Sequence, residues 1–280
     1  LKNLTFIAKQ KMAEIAGYQN HLVAFVDLLG FSEKSFVNDD IKTYTLELVK
    51  SLAAARSEFA IKTEKKENGT STQVIPAIST FSDHVVISYP IDPVREHLPH
   101  IGLIITFLQE IISRIAVAAL PLGFMIRGGA TVGPLYHVQG VVFGEALIEA
   151  HRLESSIAIY PRIAVSPNLL KIVQKDVTIT AIAEDFDGIH YFDYLKRGIL
   201  NCATPGDLFQ ENFRGWVHIA LSTIQQHIDL YTQNGDLKKL AKWKWFSNYF
   251  NFILSSEPAR IFLEKEKSQI PHQLEPDFTE

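Results

Sequence analysis

The chain is poor in cysteine: Cys202 is the only one in 280 residues. An intrachain disulfide framework is therefore excluded, and a reducing cytosol is the expected compartment. Basic residues are not in excess either. The 27 Lys and Arg against 31 Asp and Glu leave a formal charge of −4, which argues against a general nucleic-acid binder. A nucleotide site stays open on that balance, because bound metals reverse a local potential. The ten histidines show no His-x-x-x-His or Cys/His pairing at zinc-ligand spacing. A Gly-x-x-x-x-Gly-Lys-Ser/Thr loop, a Gly-x-Ser-x-Gly elbow and a dinucleotide fingerprint are all missing, as are internal repeats and low-complexity linkers. The sequence begins at Leu1 with no secretory signal pattern. One run, Ile101 to Leu122, has membrane-like hydropathy but carries Gln109, Glu110, Ser113 and Arg114. An ionisable group at mid-membrane costs about 2.5–3.5 kcal/mol on insertion scales. Glu110 and Arg114 are also spaced like a solvent-facing helical pair. A core helix, no membrane and a cytoplasmic location are the expectation.

What is present is ordinary globular material, 47% hydrophobic and 21% charged, enough to bury a core. The pattern predicts a short N-terminal helix over residues 4–18 and a buried strand from His21 to Asp27. A helix capped by Asp39 or Asp40 should run to about residue 60, with Lys62 to Thr72 as a polar loop. Val74–Phe81 and His84–Tyr89 read as a hairpin joined at Ser82-Asp83. A long helix over 100–120 leads into a strand from Phe124 to Val132. Gly133-Pro134 then marks a turn or bulge, and Leu135–Gln139 reads as a returning partner. Phe143 to Ser156 reads as helix, Arg162 to Ser166 as strand, and Pro167 as the first turn of a short helix. Val177–Ala183 and His190–Tyr194 read as further strands. From Asp207 onward the chain is helical and rich in aromatics, and Glu264 to Glu280 reads as a frayed tail. The order predicts an α+β fold. Its divisions are an N-terminal helical arm over 1–19, a core over 20–196 and a C-terminal helical extension over 197–280.

Two acidic phrases carry the chemistry: Phe25-Val26-Asp27-Leu28-Leu29-Gly30-Phe31-Ser32 and Phe81-Ser82-Asp83-His84-Val85-Val86. Each puts a carboxylate at the edge of an apolar strand, where it is costly unless paired, hydrogen-bonded or bound to metal. Gly30 permits a tight path, so that the amides of Gly30, Phe31 and Ser32 can face phosphate oxygens. Taken singly, Asp27 reads equally as a turn-stabilising residue and Asp83 as a hairpin-tip residue. Together they suit a two-metal phosphoryl-transfer site. His84, beside Asp83, reads either as approaching the site or, preferably, as a polar strand residue. Arg127-Gly128-Gly129 reads either as a phosphate cradle or, preferably, as close packing against a helix or a partner, which makes Arg127 structural. On the helix after Phe143, Arg152 is either held by helix ion pairs or directed at charge developing on a phosphate.

The order of these motifs resembles the catalytic domain of class III nucleotide cyclases over about residues 20–196. The matching pieces are Asp27 with Gly30 and Phe31, Asp83, Arg127 with Gly129 and Gly133, and Gly144 with Arg152. Phe-Ser-Asp, Arg-Gly-Gly, Phe143-Gly-x-Ala146 and Tyr160-Pro161-Arg162-Ile163 look more closely like the bacterial pyrimidine cyclases of Pycsar anti-phage systems. The aromatic stretch Trp243 to Phe252 fits the same family.

The resemblance implies a ferredoxin-like, palm-type sheet, mostly antiparallel with packed helices. It implies two Mg²⁺ or Mn²⁺ ions held by Asp27, Asp83 and the Leu28 carbonyl, and a triphosphate on the amides of Gly30, Phe31 and Ser32. Arg152 would act across a homodimer interface on CTP or UTP. The cyclic product would be a second messenger sensed by a separate effector. Tyr44 either narrows the base pocket against purines or packs in the core. The sequence departs from the purine enzymes where they read adenine: Ser79 stands for a Lys and Val141 for an Asp. The guanine-reading Glu and Cys are missing too, and Ile148 replaces an Asn that accompanies the transition-state Arg. These losses fit a changed base or a dead site; retention of both Asp residues and Arg152 favours the changed base.

Overall fold

The computed structural model describes residues 17–31, 39–64, 71–91, 101–174, 179–202 and 213–255. Among them, those up to Tyr194 form one compact unit and those from Leu195 a second. In the first, β1 (Tyr18–Leu29) is the central strand because Leu22 to Val26 is an unbroken apolar run, buried on both faces. It pairs antiparallel with β5 (His84–Pro90) on one side and with β6 (Met125–Val138) on the other. With β4 (Ala77–Phe81), β7 (Val141–Phe143), β8 (Ile163–Val165), β9 (Ile182–Glu184) and β10 (His190–Phe192) it makes an eight-stranded sheet. The path runs β4-β5-β1-β6-β8-β10-β9, with β7 on β6, and only β6 and β8 are parallel. The fold is thus α+β, with a mostly antiparallel sheet.

Strand alternation sends Val23 and Phe25 to one face, where they pack with Val86, Leu135, Ala146 and Ala150. Ala146 and Ala150 belong to helix α3 (Glu145–Arg152), which therefore covers that face. Leu22, Ala24 and Val26 point to the other face, against helix α2 (Ile101–Ala119). The Ile101–Leu122 stretch is long and apolar enough to cross a membrane, but 67% of its apolar 18-residue window is buried inside the protein. It is the core helix that its charges suggested, with Glu110 and Arg114 paired on its outer side at 3.0 Å.

Helix α1 (Asp39–Ala54) precedes the sheet's β4–β5 hairpin, with a separate hairpin of β2 (Ile61–Glu64) and β3 (Ser71–Val74) between them. That hairpin corrects the expected loop over Lys62 to Thr72. Its polar strands are anchored by the facing pair Ile61 and Val74, both buried. Pro76 then separates β3 from β4, so the expected strand from Val74 to Phe81 is broken.

The expected turn at Gly133-Pro134 is also corrected. β6 runs through both residues, and the reversal comes at Gln139-Gly140, both at positive φ. Pro134 is accommodated because β8 pairs only with Gly128 to Ala130, so no ladder bond is lost on that edge. Phe143 lies in β7 rather than in a helix, and α3 ends in a π-helical turn over Leu153–Ile157. Of the expected N-terminal helix over 4–18, residues 4–16 lie outside the described ones, and Tyr18 already belongs to β1. The expected strand at Val177 begins in the undescribed segment; the observed β9 starts at Ile182.

Beyond β8, helix α4 (Pro167–Val173) is capped by Ser166, whose Oγ accepts from the Leu169 amide at 3.1 Å. Arg162, with no exposed surface, forks onto Asp187 and also pairs with Asp185. Helix α5 (Tyr194–Cys202) follows. In the second unit α6 (Phe213–Gln233) and α7 (Leu237–Leu254) form a hairpin turned at Gly235. Asp236 caps α7, and Trp243 stacks on His227 with ring centroids 4.2 Å apart.

Candidate active site

The site is set by register. Asp27, near the end of the central strand, stands opposite His84 of β5 on one side and Arg127 of β6 on the other. Facing residues on adjacent strands share a sheet face with Cβ atoms about 4.5–5.5 Å apart. All three side chains therefore meet. Arg127 Nη2 donates to Asp27 Oδ2 at 3.0 Å, and His84 Nε2 lies 3.7 Å from Asp27 Oδ1.

Asp83 is brought in by the β4–β5 hairpin tip, where Ser82 adopts a left-handed φ of 54°. The Leu28 amide donates to the Asp83 carbonyl at 3.0 Å, tying the tip to β1. As a result Asp27, Asp83 and His84 each present a ligand atom within 4.8 Å of the others. The two aspartates are thus on one face and close enough to share a cation. Their donor set of two carboxylates and an imidazole suits a divalent metal.

Behind Asp27, Arg127 also pairs with Glu154, which is 3% exposed. Burial raises the Glu154 carboxyl above its usual range, and the nearby Arg127 charge opposes the rise. Arg127 is therefore shared between two carboxylates, an ionic support that accords with reading it as structural. The glycines beside it are packing devices rather than a phosphate cradle. A Cβ on Gly128 would lie 2.2 Å from the Phe25 carbonyl oxygen, and one on Gly129 2.2 Å from that of Ala150. α3 thus sits directly on the β6 backbone.

Gly30 turns the chain after β1 with φ 94°, a conformation that side chains disfavour. Phe31 follows, its ring 6.0 Å from Phe124, whereas Ser32 lies outside the described residues. The Leu28 side chain is buried, and its carbonyl remains an expected ligand. Arg152 closes α3 but is not gathered with Asp27 and Asp83: its Nε and Nη2 donate to Glu149 at 2.7 and 2.8 Å. Tyr44 is 61% exposed on α1, which corrects the alternative of a core tyrosine.

Ser79 reaches the β6–β7 turn that precedes Val141. Ser79 Oγ donates to the Gly140 carbonyl at 3.3 Å and meets His137 Nε2 at 2.8 Å. His137 Nδ1 continues to Ser88 Oγ at 2.8 Å, and Ser88 to His21 Nδ1 at 3.1 Å. Burial lowers both imidazoles to about 4, helped at His21 by the neighbouring His137 and at His137 by Arg56. This buried polar chain was not anticipated. His21 and His137 are 116 positions apart (137 − 21), and only the folded sheet joins them.

No family model matches the sequence, and no curated protein matches it. Among solved structures, the adenylyl cyclase CyaB from P. aeruginosa is similar at 17% identity, with a TM-score of 0.34. The alignment covers 62% of this chain and 94% of that one. A likeness of that size carries no argument, and the function is read from the site itself.

Proposed function

We propose that the chain is a nucleotide cyclase that converts CTP or UTP to the 3′,5′-cyclic monophosphate and pyrophosphate. The observation that carries this reading is the convergence of Asp27 and Asp83 at one end of the central strand, beside the positive-φ turn at Gly30. In the reaction the ribose 3′-oxygen bonds to the α-phosphorus, the bond to the β-phosphate bridge breaks, and the hydroxyl proton leaves. Tethering both groups in one molecule leaves the protein mainly orientation and charge stabilisation to supply.

Asp27 and Asp83 would hold two Mn²⁺ or Mg²⁺ ions, with the Leu28 carbonyl as a further ligand. Bound there, the cations would supply the charge that acidifies the 3′-hydroxyl and neutralises the departing pyrophosphate. Arg127 keeps Asp27 aimed by holding its second oxygen. The amides of Gly30, Phe31 and Ser32 bind the triphosphate. Arg152, exposed at the end of α3, reaches the phosphates of a second copy in a homodimer. Exposed Val141, Phe143 and Ile148 on the same β7–α3 corner support a partner surface there. Ser79 and Val141 in place of charged base-readers favour a pyrimidine, which Tyr44 would help to select by narrowing the base pocket against purines. The product acts as a cytoplasmic second messenger in anti-phage defence, sensed by a separate effector; this last step rests on resemblance alone.

A silent nucleotide-binding regulator is the competing reading, favoured by Ile148, which is 68% exposed where an Asn would serve catalysis. Incubation with each of the four nucleoside triphosphates and Mn²⁺, followed by chromatography, separates the possibilities. Cyclic CMP or cyclic UMP with equimolar pyrophosphate is expected. Purine products would make it a purine cyclase, and tight binding without pyrophosphate release a regulator. Failure to bind either metal or nucleotide would end the reading altogether.

A further inference from the structure

We propose that His84 is a third protein ligand of the cation held by Asp27 and Asp83, and that it tilts the site toward first-row transition ions over Mg²⁺. The inference rests on reading the two aspartates as a cation site.

The first argument is geometric. His84 Nδ1 lies 3.2 Å from Asp83 Oδ1. That nitrogen is nevertheless buried and without a hydrogen-bond partner, so the short approach is not a hydrogen bond. Two atoms that close and not aimed at each other are placed as co-ligands are. Neighbouring ligands of an octahedral cation, each about 2.1 Å from the metal, are about 3 Å apart and point at a common third position. A cation takes one nitrogen of an imidazole, and the one ligand atom that His84 offers lies within 4.8 Å of a carboxylate oxygen of each aspartate.

The second argument is rigidity. The His84 ring stacks on Phe81 at 5.2 Å and 18° and leans on Phe25 at 5.1 Å and 46°. Phe81 is the residue facing His84 across the β4–β5 ladder, and Phe25 lies two residues before Asp27 on the same face of β1. The imidazole therefore has little freedom to turn away, and a preset ligand loses little entropy on binding.

The third argument is ligand type. Mg²⁺ favours oxygen donors and keeps its waters, whereas imidazole nitrogen raises affinity for transition ions. One nitrogen beside two carboxylates shifts the preference without excluding Mg²⁺.

The test uses Mn²⁺ alone as probe. Electron spin-echo spectra of the Mn²⁺-loaded full chain should show ¹⁴N modulation, converted to the ¹⁵N pattern when histidine is labelled. His84→Phe keeps an aromatic ring between Phe81 and Phe25 but removes the nitrogens. It should abolish the modulation and lower the Mn²⁺/Mg²⁺ affinity ratio by about tenfold or more in calorimetric titration, the scale of a lost contribution to a metal site. Mn²⁺ bound by the wild type without ¹⁴N modulation, or modulation that survives His84→Phe, would overturn the assignment while leaving the carboxylate site intact. An absence of Mn²⁺ binding to the wild type would overturn both.

Discussion

Arg127 stands directly opposite Asp27 across the β1–β6 ladder and donates to its Oδ2 at 3.0 Å, so the carboxylate at the centre of the site already has a cationic partner. The guanidinium takes one oxygen, while the other lies 3.7 Å from His84 Nε2. A cation at this site would therefore use the free oxygen of a carboxylate whose orientation is fixed from behind.

Removing that free oxygen's charge should stop turnover. Asp27→Asn and Asp83→Asn are each expected to lower cyclic-product formation by about a thousandfold or more, since a lost metal ligand forfeits several kcal/mol of transition-state stabilisation. Chelation of the wild type should do the same, reversibly. Product chromatography, with far-ultraviolet circular dichroism to verify folding, checks all three.

Arg127→Met leaves Asp27 and the buried Glu154 without their shared counter-charge. Breaking a buried ion pair by removing one partner costs about 3–5 kcal/mol. Urea unfolding should show a loss of that order. The double variant Arg127→Met/Glu154→Leu should recover part of it, because the worst-buried carboxylate is gone as well.

Acid should weaken the fold through His21 and His137. Each imidazole is held to about 4 by burial, against an ordinary value of 6.5. Between these values the unfolded chain binds more protons than the folded one, so stability is fully present above pH 6.5 and erodes as pH falls toward 4. At about 1.4 kcal/mol per pH unit the loss is about 3 kcal/mol for each group, less than additive because the two interact. Denaturant titrations at pH 7.5 and 4.5 measure it. His137→Leu should flatten the dependence, at the expense of leaving Ser79 and Ser88 to find new partners.

Gly129→Ala places a methyl 2.2 Å from the Ala150 carbonyl oxygen and 2.5 Å from Leu153 Cβ. Backbone, not a flexible side-chain end, must move. Overpacking typically costs about 1–3 kcal/mol. Thermal melting should show the loss. Catalysis should fall too, because displacing α3 displaces Arg152.

Much of the site was legible in the sequence because strand edges announce themselves. An apolar run that stops at Asp27, and a hairpin that turns at Ser82-Asp83, locate both carboxylates. The paired glycines also point correctly to close packing. Which side chains face them is a matter of register, and register joins residues with no local signal. The pairing of Asp27 with Arg127 and the reach of Arg127 to Glu154 exist only once β6 has docked beside β1 and α3 on top. The seating of His84 beside both aspartates is of the same kind, because Phe25 and Phe81, which pack on its ring, come from other strands. The polar β2–β3 hairpin escaped notice for a related reason: its pairing rests on Ile61 meeting Val74, not on hydrophobic alternation within either strand. Gly133-Pro134 misled in the opposite sense, since turn-forming residues are tolerated in a strand that has outrun its neighbour.

The bond from the Leu28 amide to the Asp83 carbonyl makes one proton a reporter on the whole site. For that proton to exchange with deuterated solvent, the hairpin tip must part from the central strand, and the carboxylates of Asp27 and Asp83 must part with it. Its exchange rate in the metal-free protein therefore measures how often the site comes undone. Slowing on addition of Mn²⁺ would measure, in the same units, how firmly an ion holds it shut.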